Sequence, residues 1–136
     1  MYACERVRLR KFTVHSRPFG LKRIMLVTSQ DKKLGLYASN YAEALKALGK
    51  KRADMLHKRM KAFANADSLE DLRMVAGHFH ELVDNRKGQW ACDLDQPYRL
   101  IFEPQEKPIP TDQDGKYIWI EIKEVELVEI TNYHGK

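Results

Sequence analysis

The sequence predicts an α+β domain, and three observations carry that expectation. A short apolar run, Ile24-Met25-Leu26-Val27-Thr28, has the length of one buried strand. From Asp31 to about Asn65, apolar residues recur at intervals of three and four, as in helices that bury one face. From Phe79 onward the period changes to two, and turn residues separate the apolar runs. Strand, then helices, then a meander gives two to three helices packed on one face of a twisted antiparallel sheet.

Each element has its own signal. Residues 1–23 lack a clean period and contain Pro18-Phe19-Gly20, so they read as a basic, loosely ordered extension ahead of a domain spanning 24–136. Leu34, Tyr37, Tyr41, Leu45 and Leu48 place a helix over Asp31 to about Leu48, which Gly49 interrupts. A second helix, from about Lys50 to Asn65, sets Leu56, Met60 and Phe63 on one face and leaves Lys51, Lys58 and Lys61 to solvent. Ser68-Leu69-Glu70-Asp71 has the form of a capping box opening one or two more turns to about Val75. Phe79, Glu81 and Val83 alternate with His80 and Leu82, Asp84 to Gly88 is turn chemistry, and Gln89 to Leu94 returns as a strand. After Asp95-Gln96-Pro97 come a strand at Tyr98 to Phe102, a polar excursion from Pro104 to Gly115, and a last strand from Tyr117 to Thr131.

Composition narrows the function. The chain has 136 residues, of which 43% are hydrophobic, enough to bury one core without staples. No apolar run reaches membrane-spanning length, so no membrane role is expected. Cys4 and Cys92 stand far apart without a pairing pattern, which suits a reducing cytoplasm. The net charge of +5 is uneven: residues 1–23 carry seven basic groups against Glu5, while the remaining 113 residues carry 17 basic and 18 acidic groups. Affinity for a polyanion therefore has to come from local clusters, the clearest being seven Lys and Arg between Lys46 and Lys61 against Asp54 alone.

Four short motifs stand out in the second half: His80-Glu81-Leu82, Arg86-Lys87-Gly88-Gln89-Trp90, Tyr98-Arg99-Leu100-Ile101-Phe102 and the terminal Asn132-Tyr133-His134. Together, in this order, they resemble the HigB group of toxins within the RelE/ParE superfamily of toxin–antitoxin systems, and the likeness runs from about Met25 to His134. The resemblance implies a small RelE-like domain. It implies a cytoplasmic, ribosome-dependent endoribonuclease (mRNA interferase) that cuts translated mRNA and inhibits translation, held inactive by a helix-turn-helix antitoxin. Position by position, His80 matches the family histidine that opens the His-x-Leu strand, and Tyr133 and His134 match its C-terminal pair. Arg99 matches the arginine of its Tyr/Trp-Arg strand, and Arg86 the arginine before Gly in its turn. Asn132 stands where an aspartate is common, and Val83 where many members carry lysine.

The residues support the same chemistry on their own terms. Cleavage of RNA by its 2′-OH needs a base, a stabiliser for the phosphorane charge and an acid for the leaving oxygen, and needs no metal or other cofactor. Histidine serves as base or acid near neutral pH, for roughly 10²–10⁴-fold, and arginine's planar fork suits the phosphate. The expected catalytic set is His80, Arg99, Tyr133 and His134, with Arg86, Lys87, Tyr98 and Asn132 holding RNA and phosphate. Which histidine is base and which is acid stays open. Lys50, Lys51, Lys58 and Lys61 are the candidates for ribosome contact, against a default reading as a solvated helix face.

Other readings apply to the same residues. His78 and His80 point the same way from a strand, as two metal ligands would, although no second Cys/His cluster accompanies them. Arg99 is either paired with a carboxylate such as Glu121 or kept for an anion. Trp90 and Trp119 read as packing residues rather than stacking platforms. The two departures favour an alternative from another class: a non-catalytic binding module of the same fold, either a ParE-like gyrase inhibitor or a degenerate toxin that binds only its antitoxin.

Overall fold

Two buried surfaces have to meet in this chain: one stripe of a helical segment and one face of a strand meander. In the computed structural model, which describes residues 25–132 and the backbone of Val7–Arg8, they meet as an α+β fold. In chain order the elements are β1 (Val7–Arg8), β2 (Leu26–Ser29), α1 (Lys32–Ser39), α2 (Tyr41–Leu48), α3 (Lys50–Ala64), β3 (His80–Glu81), β4 (Trp90–Asp93), β5 (Tyr98–Pro104) and β6 (Glu124–Asn132). The strands lie in the order β1-β2-β6-β5-β4-β3. All pairs are antiparallel except β2 with β6, which run parallel, so the expected wholly antiparallel sheet is a mixed one. The correction follows from topology, because the helices return the chain to the end of the sheet from which β2 had left.

The core forms where α3 crosses the sheet. Leu56, Met60 and Phe63 of α3 are fully buried, as their spacing predicts, against Trp90, Leu100, Phe102 and Leu127. Phe63 meets Phe102 and Phe79 edge-on at centroid distances of 5.1 and 5.7 Å, which favours one packing over a loose one. Trp90 and Trp119 are buried and pack edge to face at 5.7 Å, in agreement with the packing reading.

Several boundaries differ from expectation for local reasons. The single helix expected over Asp31 to Leu48 is two, because Asn40 is extended (φ −138°, ψ 105°). Its N–H caps Leu36 O, and its side-chain oxygen accepts the N–H of Glu43 at 3.1 Å. The break turns Tyr41 and Leu45 outward. Ser68 makes no capping bond to the 3₁₀ turn at Leu69–Met74, and Asp71 instead accepts from Asp67 N. Tyr117 to Lys123 does not join the last strand, since Trp119–Glu121 forms a 3₁₀ turn that buries Trp119. The 79–83 strand is only His80–Glu81. Part of the leader read as loose pairs with the sheet, since Val7 and Arg8 face Ser29 and Thr28.

Gly77 fixes the approach to β3. Its φ of +121° is a left-handed value, and a Cβ there would lie 2.9 Å from Arg59 Nε and 3.0 Å from Phe79. Gly77→Ala should therefore lower stability by about 1–3 kcal/mol for the backbone alone, seen as a lower midpoint in urea unfolding. An unchanged midpoint would show that the left-handed backbone at 77 carries no such cost.

Candidate functional site

The two faces of the sheet have different chemistry because strand side chains alternate. Along β5, Leu100 and Phe102 turn to the helices and are buried in the core. Arg99 and Ile101 leave on the opposite face. Register carries the same division to the neighbouring strands: His80 faces Ala91, Asp93 faces Arg99, and Arg99 faces Thr131. His80, Asp93 and Arg99 thus occupy one face at one end of the sheet.

His78 joins them from the residue pair before β3. Its ring stacks on that of His80 at 4.1 Å and 18°, and its Nδ1 lies 3.8 Å from Asp93 Oδ2. His80 Nδ1 lies 2.8 Å from the carbonyl oxygen of His78. A carbonyl only accepts, so that nitrogen carries the proton and Nε2 of the neutral ring keeps its lone pair. Burial holds the His80 pKa below the ordinary histidine value, with the neighbouring charges of His78 and Arg99 acting in the same direction. The bond to the His78 carbonyl and the charge of Asp93 oppose them. An imidazole with a free lone pair at neutral pH, next to a guanidinium, is suited to taking a proton from a group held against an anion.

The other predicted residues are not gathered at this point. Tyr133 and His134 lie outside the described residues. Tyr98 leaves β5 on the helix side with Asn132 opposite it, and its ring is covered by Arg52 at 3.6 Å. Arg52 is itself clamped by both oxygens of Asp95, at 3.0 and 3.2 Å. Arg86 shares the face of His80 and Arg99, but its guanidinium is bonded to Glu129 and, at 2.7 Å, to Gln89. Lys87 points away, towards Tyr117 at 6.0 Å, and lines a cavity of about 690 Å³ with Arg73, Glu81 and Lys116.

On the helical side, Lys50 is bonded to Asp54 at 2.7 Å, and Asp54 also accepts from Tyr41. The bond to Asp54 raises the Lys50 pKa and keeps its charge paired. Lys51, Lys58 and Lys61 are exposed and line a groove of about 450 Å³ with Tyr41, Met55 and His57.

Sequence reasoning missed two members of the cluster as site residues, His78 and Asp93. His78 was visible as the residue two before His80. Asp93 was not, since only strand register sets it opposite Arg99. The spacing of His78 and His80 suits two metal ligands, yet the rings stack, and among the described residues no three His, Cys, Asp or Glu side chains are arranged to hold a metal ion. Cys92 is fully buried, which pushes its thiol pKa far up and keeps it unreactive.

Fold and site together define an α+β protein with a histidine–arginine–carboxylate cluster on the sheet face opposite the helices. No family model matches the chain, and no curated protein matches it.

His80 gives a direct check. Its folded-state pKa is depressed, so between that value and the ordinary one the unfolded chain binds more protons, and stability falls as pH drops through the window. His80→Gln should flatten that dependence in pH-resolved urea unfolding. An equally steep curve would assign the dependence elsewhere.

Proposed function

We propose that the protein is a HigB-like toxin of the RelE/ParE superfamily, a metal-independent endoribonuclease that cuts mRNA at the ribosome and is restrained by a cognate antitoxin. The observation that supports this reading best is the shared face of His80 and Arg99, which the sequence separates by 19 positions and the sheet brings onto neighbouring rows. In this reading Arg99 holds the scissile phosphate, and His80 Nε2 takes the proton from the 2′-OH as the oxygen attacks phosphorus. Charge building on the phosphorane falls to the guanidinium, whose own charge does not titrate away. By resemblance, His134 returns a proton to the leaving 5′-oxygen, and Tyr133 belongs to the same catalytic set.

Binding is assigned to other parts of the surface. Lys51, Lys58 and Lys61 meet ribosomal RNA through the α2–α3 groove, while Lys50 is already engaged by Asp54. Among the described residues no helix is long and apolar enough to cross a membrane, and the proposed place of action is the cytoplasm.

One observation favours the non-catalytic alternative. Glu129, on the same sheet face as Arg99, already holds Arg86, an arrangement that takes away one of the expected ligands of RNA. A module that only binds protein would tolerate it.

Primer extension on mRNA in a translating extract separates the two. Discrete cuts are expected with the wild type, and losses of roughly 10²–10⁴-fold with His80→Ala, with a comparable loss for Arg99→Ala. Growth arrest that survives both substitutions without cut mRNA would establish the binding module instead. In the same extract, Lys58→Glu with Lys61→Glu should weaken ribosome co-sedimentation and make it less salt-dependent, and unchanged sedimentation would remove the groove from the interface.

A further inference from the structure

His78 belongs to no part of the proposed chemistry, yet this exposed residue is constrained from several sides. Its φ is +53°, a left-handed conformation that non-glycine residues seldom adopt. Gly77 before it is also left-handed, and its carbonyl accepts the N–H of Asp93 at 2.8 Å. The carbonyl of Asp93 in turn accepts from Nε of Arg59 at 2.6 Å, and Arg59, on α3, is buried. The backbone that turns His78 over His80 is therefore anchored to the helix layer. On the sheet face opposite the helices, the Asp93 carboxylate lies 3.8 Å from the His78 ring, and that ring lies 4.1 Å from the His80 ring.

Strain in the backbone, a stacked partner and a carboxylate on the outer ring converge on one side chain. We propose that His78, held by Asp93, is the positioning residue of His80: its stacked ring fixes the plane of the imidazole, and that plane keeps Nδ1–H on the backbone carbonyl of residue 78 and leaves Nε2 with the lone pair. This rests on the reading of His80 as the general base, and adds to it a device that keeps the base in one tautomer and one orientation. Without the His78 ring the carbonyl stays, but the imidazole loses the stacked surface that holds Nδ1 against it, turns about its side-chain torsions and presents either nitrogen. The charged and titratable groups facing His80 are His78 from the preceding turn, Asp93 from β4 and Arg99 from β5. His78 and Arg99 act on its protonation in one direction and Asp93 in the other, which gives substitutions of opposite sign.

The test is nitrogen-15 NMR of the His80 ring across pH in the full chain, compared with His78→Asn, which tolerates the left-handed backbone, and with Asp93→Asn, which leaves it untouched. The wild type should show a single neutral tautomer protonated at Nδ1. His78→Asn should give a mixture of tautomers and a titration midpoint moved up towards the ordinary value. Asp93→Asn should move the midpoint down. In the cleavage assay the acid limb of the pH–rate profile should follow these midpoints, so His78→Asn loses several-fold in rate at mildly acidic pH and recovers as pH rises. An unchanged tautomer and midpoint in a folded His78→Asn variant overturns the proposal, even where mRNA is cut. If the ring responds as described while wild type cuts no mRNA, the positioning role stands and the nuclease reading falls.

Discussion

The alternation of side chains along β5 is the constraint on which the rest of this structure depends. Leu100 and Phe102 enter the core beneath α3, so Arg99 has to leave on the other face, and no repacking can place it beside Tyr98. Slipping β5 by one residue against β4 would expose Phe102 and bury Arg99 without a counter-charge. Burial of the apolar set thus fixes the register, and the register brings the guanidinium onto the face of His80 and Asp93. The site is a consequence of packing on the side it does not occupy.

A second layer of support passes through Arg59. It sits in a helix segment rich in lysine and arginine, yet it is 7% exposed, with its Nε–H donated to the carbonyl of Asp93. A buried guanidinium has to find acceptors to offset its desolvation. Here the acceptor is backbone at the end of β4, next to the strand edge where the turn 77–78 arrives. Gly77 leaves room for the guanidinium because it has no Cβ. Helix, strand end and histidine pair are joined by hydrogen bonds and contacts rather than by side-chain packing alone, which suits a cluster whose geometry has to be held more tightly than its burial would require.

Electrostatics divide the sheet face opposite the helices. At one end stand His78, His80, Asp93 and Arg99. Farther along, Gln30, Gln89 and Gln105 bridge Glu103 and Glu126 in a continuous chain of side-chain hydrogen bonds, and Arg86 is bound to Glu129. The amides donate to these carboxylates, and Lys107 pairs with Glu103 at 3.7 Å. The imidazoles and the Arg99 guanidinium thus stand at one end, and farther along the carboxylates are engaged by amides and cations.

By itself the sequence determined the α+β class, the buried stripe of Leu56, Met60 and Phe63, and the singling out of His80 and Arg99, because periodicity and residue chemistry are local properties. It could not place Asn40 as a double cap or Trp119 in a 3₁₀ turn, since hydrogen bonds at boundaries compete with the hydrophobic period. The parallel pairing of β2 with β6, the capture of Arg86 by Glu129 and the covering of Tyr98 by Arg52 were decided only in the tertiary structure. Each joins residues more than 40 positions apart, and a charge on a strand or turn carries no mark of which partner the fold will bring to it. Asp93 belongs with these: one aspartate among many along the chain, it becomes part of the cluster only when register sets it across from Arg99 and beside His78.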